Sequence, residues 1–164
     1  MEFIEAVHAA YAALGDLTPL ETDCGALCQA ACCQADEDGQ GGVWLLGDEI
    51  TALQNVPWAD IDPVTDPVAP MLVCNAPCER TVRPLCCRIF PLAPVMGKDG
   101  LWTVRMDARA RAMCPLAASG LKGLRREFVR AARDAIRILA SSPQGERLLC
   151  AWSERESAFR QPLW

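Results

Sequence analysis

Ten of the 164 residues are cysteine, and eight of these fall into two short clusters. The first comprises Cys24, Cys28, Cys32 and Cys33; the second comprises Cys74, Cys78, Cys86 and Cys87. A chain of this length can bury a core without cross-links, and cytosolic proteins keep their thiols reduced. Closely spaced thiolates can instead converge on a zinc ion or an iron–sulfur cluster. The clustering therefore predicts a metal centre, with structural disulfides and inert or redox-active cysteines as the alternatives.

The two remaining cysteines stand alone in the sequence. Cys114 directly precedes Pro115, whereas Cys150 follows Leu149 within a helical pattern. A buried cysteine behaves as a small hydrophobic residue, and we expect this role for Cys150. The only histidine, His8, lies in an amphipathic segment, where a packing or surface role is favoured over metal ligation.

Composition excludes several classes of protein. The hydrophobic fraction of 51% and the mean hydropathy of +0.09 exclude an intrinsically disordered chain. No uncharged apolar run approaches about 18 residues, which excludes a membrane span. The first residues carry Glu2 and Glu5 instead of basic residues, so we expect no secretory signal and a cytoplasmic location.

The charges are divided between the two halves of the chain. Residues 1–79 hold 14 Asp and Glu but no Lys or Arg, whereas residues 80–164 hold all 16 basic residues and seven acidic ones. We therefore predict one domain over 1–164, in which the basic half packs against the acidic half. The basic residues interleave with a helical pattern and the isoelectric point is near 4.9, which disfavours nucleic acid as a partner. A protein partner stays open.

Periodicity and turn residues predict an α+β fold that is mainly helical, with short strands and long cysteine-bearing loops. Helices are expected at 2–14, from Thr18-Pro19 toward Cys24, from Gly47 to Gln54, at 121–139 and from Ser142-Pro143 onward. Strands are expected at 43–46, 71–73 and 101–106, a loop at 56–70, and an extended segment around Pro84, Pro91 and Pro94. Within the domain, 18–118 is the expected metal-binding region and 119–164 a helical segment.

Three motifs together resemble the YkgJ-type zinc- or iron-chelating (CxxCxxCC) domain family. They are the first cluster ending in Cys32-Cys33, the stretch from Arg83-Pro84 to Phe90-Pro91, and the Cys114-Pro115 pair. The gaps in the first cluster are three residues long, where the family has two. The resemblance covers roughly residues 24–116 and implies eight metal ligands: Cys24, Cys28, Cys32, Cys33, Cys74, Cys78, Cys87 and Cys114.

Cys86 and Cys150 are additional to this set. Neighbours on an extended segment point to opposite faces, so we expect Cys86 to face away from a metal that Cys87 faces.

Three functions follow from these observations. The first is a protein that holds zinc or an iron–sulfur cluster through thiolates. The second is a metal-dependent protein-modifying enzyme or a subunit of one, since a related cysteine motif occurs in flagellin lysine methylases. Asp48 or Glu49 could serve as a base, although the start of a helix explains these acids equally well. The third is an interaction module with purely structural zinc. The sequence leaves open whether the chain is an enzyme.

Overall fold

The computed structural model describes residues 1–34, 42–62, 66, 68–74 and 79–160. Within these ranges it has both helices and short strands, which confirms the predicted α+β class. The helices are α1 (Phe3–Leu14), α2 (Gly25–Cys28), α3 (Glu49–Leu53), α4 (Leu85–Ile89), α5 (Ala110–Met113), α6 (Arg126–Leu139) and α7 (Pro143–Ala158). The strands are β1 (Val43–Trp44), β2 (Ala59–Asp62), β3 (Met71–Cys74), β4 (Leu92–Met96) and β5 (Trp102–Met106).

The strands of the described residues form two antiparallel sheets. In the first, β3 lies between β1 and β2, with Val43 opposite Leu72 and Ala59 opposite Cys74. In the second, β4 and β5 form a hairpin in which Leu92 lies opposite Met106. Strand β2 occupies part of the segment that we predicted as a loop. Ala59–Asp62 alternates apolar and acidic residues, and this period-two pattern forms a strand between the flanking prolines.

The main hydrophobic core joins residues from both ends of the chain. Val7 and Leu14 of α1 share it with Phe128 of α6 and Trp152 of α7. Phe128 is fully buried, and burying such a side chain contributes roughly 1.5–3 kcal/mol. A second cluster, formed around Leu45, Leu53 and Leu72, supports the three-stranded sheet.

The main helices end and begin as their capping residues indicate. Gly15, with φ of 54°, follows α1 and confirms the predicted stop. The Ser142 hydroxyl accepts a hydrogen bond from the Gly145 N–H at 3.0 Å, which confirms the predicted start of α7. Helix α6 begins later than predicted, at Arg126, because 3-10 turns occupy Pro115–Gly123.

Two local predictions around the cysteines are wrong. The Thr18 hydroxyl donates to the Leu20 carbonyl in an irregular segment, and the helix starts only at Gly25. The segment after Pro84 is helical instead of extended. Pro84 lies just before the first turn of the helix, where proline is tolerated. The backbone N–H of Leu85, which has no acceptor within the helix, donates to the Glu49 carboxylate at 2.8 Å.

The acidic and basic halves meet through ion pairs. Arg155 of α7 lies 2.9 Å from Asp66, and Arg80 lies 3.8 Å from Asp16. These contacts are of the kind that the charge division predicts. Among the described residues, no helix has the length and apolar character that crossing a membrane requires.

Candidate metal centre

Six of the eight predicted ligands line one cavity of about 460 Å³. They come from three separate segments of the chain, and Cys86 joins them in the wall. The six are Cys24, Cys28, Cys32, Cys33, Cys87 and Cys114. The fold therefore brings distant thiols to one place.

One wall of the cavity is the loop that carries the first cluster. Between Cys28 and Cys32 the chain reverses through Gln29 and Ala30, whose φ angles are 51° and 54°. This left-handed pair turns the backbone so that thiols on both sides of it reach the same cavity. Neither α2 nor the 3-10 turn Ala31–Cys33 contains a buried residue, so the hydrophobic core does little to hold this loop.

The spacing of two thiols in this loop suits a shared metal ion. The sulfurs of Cys32 and Cys33 lie 4.0 Å apart. In a tetrahedral zinc–thiolate site with bonds of about 2.3 Å, the edge between two sulfurs is about 3.8 Å. The donor set therefore fits zinc by chemistry and, for this pair, by distance. It also fits an iron–sulfur cluster in which one iron takes two cysteines.

Helix α4 provides the second wall. Successive helical residues are about 100° apart around the axis, so neighbours are not forced onto opposite faces, as they are in an extended segment. The expectation that Cys86 faces away is therefore wrong in its premise: both Cys86 and Cys87 border the cavity. Cys86 is only 6% exposed and also belongs to the main core.

The other cysteines occupy different positions. Cys114 follows α5 and completes the cavity from the C-terminal side. Cys74 ends β3 and packs against the second core cluster. It is not among the residues that line the cavity. Cys78 lies outside the described residues. Cys150 is exposed on α7, which corrects the expectation of a buried small hydrophobic residue.

The thiols lie within one another's electrostatic field. Burial raises the pKa of Cys24, and Asp23, Cys114 and Cys28 add to the rise, while Arg83 opposes it. Burial also raises the pKa of Cys114. A hydrogen bond with Cys33 lowers the pKa of Cys32. A lower pKa favours the thiolate, which is the form that binds metal.

Arginines stand beside the thiols. Arg80, Arg83, Arg88 and Arg109 all line the cavity. Arg109 pairs with the fully buried Asp107 at 2.7 Å. Arg88 donates to the carbonyls of Arg83 and Arg80 at 3.1 and 2.7 Å, and its guanidinium stacks over the Tyr11 ring.

A buried carboxylate, for which the sequence offered a helix start or a base as explanations, supports α4. Glu49 is 8% exposed and accepts hydrogen bonds from the Tyr11 hydroxyl and the N–H groups of Leu46 and Leu85. It thereby fastens the first turn of α4, and with it Cys86 and Cys87, to α1 and α3. A buried acid near a helix start is the signal that could have found it, but the sequence does not show burial.

The carboxylates considered as a base lie outside the cavity wall, although, after burial, the charge of Glu49 helps to raise the pKa of Cys86. Neither Asp48 nor Glu49 lines the cavity. Asp48 instead lies 3.0 Å from the Nε2 of His8 on the surface.

Within the described ranges, no three His, Cys, Asp or Glu side chains form a group that could hold a metal ion as they stand. No disulfide joins two cysteines of that part of the chain either.

No known family model, curated protein or solved structure matches the chain. The resemblance to YkgJ-type domains therefore stays a prediction that depends on the motif residues themselves.

Proposed function

We propose that this chain is a metal-binding protein that holds zinc or an iron–sulfur cluster through cysteine thiolates, as a relative of the YkgJ-type domains. One observation carries the proposal: six cysteines, at 24–33, 87 and 114, line the same cavity although up to 90 positions separate them. A cysteine that serves only as a small hydrophobic residue is buried, as Cys86 is, whereas these six are half-buried or exposed.

The six cavity cysteines are the ligands that we propose, with Cys74 and Cys78 added only by the family resemblance. When bound, the metal would act as a cross-link between the first-cluster loop, α4 and the segment at Cys114. Four thiolates complete one tetrahedral site. The remaining thiols allow a second ion or stay as neighbours of a single centre.

The identity of the metal is tested by purifying the full chain without oxygen and measuring iron, zinc and acid-labile sulfide. Iron and sulfide in equal amounts, with a brown colour, identify a cluster. Stoichiometric zinc in a colourless protein identifies a zinc site. A reduced, folded chain that retains neither metal, and takes up neither on reconstitution, contradicts the proposal.

Cysteine variants test which residues bind. Cys33→Ala and Cys87→Ala each remove a thiol from the cavity and should lower the metal content sharply. Cys150→Ala is the matched control, because Cys150 is exposed on α7 and distant in sequence from both clusters. It should keep the metal with almost no change in stability.

Cys86→Ala separates packing from ligation at the adjacent position. Cys86 is only 6% exposed and belongs to the main hydrophobic core, so we expect it to pack in the core and not to bind metal. The variant should therefore keep the metal and lose only packing energy. Metal that survives Cys87→Ala but is lost in Cys86→Ala would reverse the two assignments.

A further inference from the structure

Two arginines on the wall of the cavity carry charge that their own hydrogen bonds do not neutralise. Arg88 donates to two backbone carbonyls, which are uncharged acceptors. Arg80 donates to the Leu17 carbonyl at 2.9 Å. Its nearest carboxylate among the described ion pairs, Asp16, is 3.8 Å away with a side chain that is 99% exposed. Solvent screens such a pair, so it offsets little of the charge.

These arginines also lie close to like charges. Burial, followed by the charges of Arg88 and Arg83, lowers the pKa of Arg80, and the charges of Asp16 and Asp23 offset only part of this. Holding guanidinium groups together costs free energy unless negative charge is placed near them. Arg109 and Arg155, which line the same cavity, have that charge from Asp107 and Asp66.

The cavity offers few resident anions for Arg80 and Arg88. Asp23 is the one carboxylate among the described residues that line it. Much of the remaining wall is apolar, including Trp44, Phe90 and Trp152. Charges beside apolar walls interact more strongly than charges in water. The thiols are then the groups best placed to supply negative charge, and they do so when they bind metal as thiolates.

We propose that Arg80 and Arg88 are the counter-charge of an anionic metal–thiolate centre in this cavity. Four thiolates around Zn²⁺, or around an oxidised iron–sulfur core, carry a net negative charge that the two guanidinium groups offset. The inference rests on the proposed function and adds a statement about the centre's net charge: all of its ligands are thiolates, and its net charge is negative. The arginines act as positioning and charge-compensating residues and need not touch the metal.

The competing explanation is that the two arginines only brace the turn at 80–83 through their hydrogen bonds to carbonyls. Lysine and glutamine substitutions separate the two roles. Lysine keeps the charge but loses the planar fork of donors, whereas glutamine keeps a donor but loses the charge.

The test measures the dissociation constant for zinc of the full chain by competition with a chromogenic chelator, with Zn²⁺ alone as the probe. At about 0.1 M salt, Arg88→Gln and Arg80→Gln should each bind zinc roughly tenfold more weakly, as expected for the loss of one nearby opposite charge. Arg88→Lys should stay close to wild type. At about 1 M salt, where the screening length falls to roughly 3 Å, the difference between the glutamine and wild-type values should shrink, though less than it would for fully exposed charges.

Arg137→Gln is the matched control. Arg137 also donates to a backbone carbonyl, that of Trp102 at 2.9 Å, but it is exposed on α6 and does not line the cavity. Its dissociation constant for zinc should equal that of the wild type. Circular dichroism of the metal-free variants checks that each one folds. If Arg88→Gln fails to fold, the zinc affinity of Arg80→Gln decides between the two roles.

Three outcomes would overturn the inference. Equal zinc affinity in wild type and in the glutamine variants contradicts it. An equal loss of zinc affinity in the lysine and glutamine variants also contradicts it, because the arginines would then only brace the turn. In both cases the wild type still binds metal, so the proposed function stands. A wild-type chain that binds neither zinc nor iron contradicts both proposals.

Discussion

Gln29 and Ala30 adopt left-handed backbone conformations, which cost a residue other than glycine about 1–2 kcal/mol each. They do so at the point where the first cluster must reverse direction to line the cavity. Consecutive non-glycine residues of this kind persist where the surrounding structure imposes them, and such positions concentrate at functional sites.

The same substitution should therefore have opposite effects four residues apart. Ala30→Gly relieves the backbone strain, but glycine also gives the unfolded chain more conformational entropy. The free energy of unfolding should therefore stay unchanged or rise by up to about 1 kcal/mol. Ala26→Gly, inside α2, should lower stability by about 1 kcal/mol. Urea unfolding of the metal-loaded protein measures both, and an Ala30→Gly variant as unstable as Ala26→Gly would exclude strain at this turn.

Glu49 makes stability depend on pH. Burial raises its pKa, against three hydrogen bonds that lower it, so the folded state holds the proton more tightly than the unfolded state. Its contribution is complete below the unfolded pKa of about 4.3 and is lost as the pH rises through the higher folded pKa. The free energy of unfolding of the metal-free, reduced protein should thus fall more steeply with pH in wild type than in Glu49→Gln.

The control for this effect is Glu154→Gln, since Glu154 is exposed on α7. It should keep the wild-type slope between about pH 4 and pH 7. Parallel slopes for wild type and Glu49→Gln would show that Glu49 titrates alike in the folded and unfolded states.

At this scale the sequence predicts only part of the group of cysteines that gather. The family resemblance selected Cys24, Cys87 and Cys114, which all line the cavity, but it also selected Cys74, which does not, and left out Cys86, which does. The exposure of Cys150 and the burial of Glu49 depend on how elements pack, and a single residue's neighbours along the chain do not encode this.

The elements fall into two groups that depend on different forces. Helices α1, α6 and α7 bury Leu14, Phe128 and Leu149 completely and share the main core. The first-cluster loop, including α2, has no buried residue. A segment without buried apolar contacts opens at low free-energy cost unless something else holds it.

Removing the metal should therefore loosen the loop and spare the helices, because metal binding contributes directly to folding free energy where the core does not. Hydrogen exchange before and after treatment with a chelator should show lost protection at 24–34 and unchanged protection in α6 and α7. Equal protection of the loop in both states would mean that it folds without metal.

The sequence predicts these elements to different degrees for physical reasons. Helices α1 and α7 follow from apolar periodicity with capping residues at one end, Gly15 and Ser142. Helix α4 was missed because prolines flank it and because its first N–H is satisfied by a distant side chain, Glu49. Tertiary contacts of that kind override local preference and leave no periodic pattern in five residues.

Across the whole molecule, a fully buried carboxylate connects α7 to the segment that leads to Cys114. Glu156 accepts from the backbone N–H of Ala108 at 2.9 Å, pairs with Arg105 of β5, and lies 2.7 Å from the Nε of Arg160. A buried charge satisfied by several partners stabilises the fold only while all of them are present.

Glu156→Ala should lower the free energy of unfolding by about 3–5 kcal/mol, since it leaves the guanidinium groups of Arg105 and Arg160 without their shared partner. Glu154→Ala, on the exposed side of the same helix, should change it by less than about 0.5 kcal/mol. Chemical denaturation compares the two. Similar losses would assign the effect to helix propensity and not to the buried network.

The position of Cys114 in the cavity wall sets an order of events during synthesis. A ribosome adds roughly 5–20 residues each second, so the thiols at 24–33 leave it seconds before Cys87 and Cys114 follow. In the proposed centre, an ion captured in that interval would meet an incomplete set of partners and would be held by too few of them. Correct loading would then follow the translation of residue 114, when a mis-seated ion can still be exchanged through a loop that the core does not hold shut.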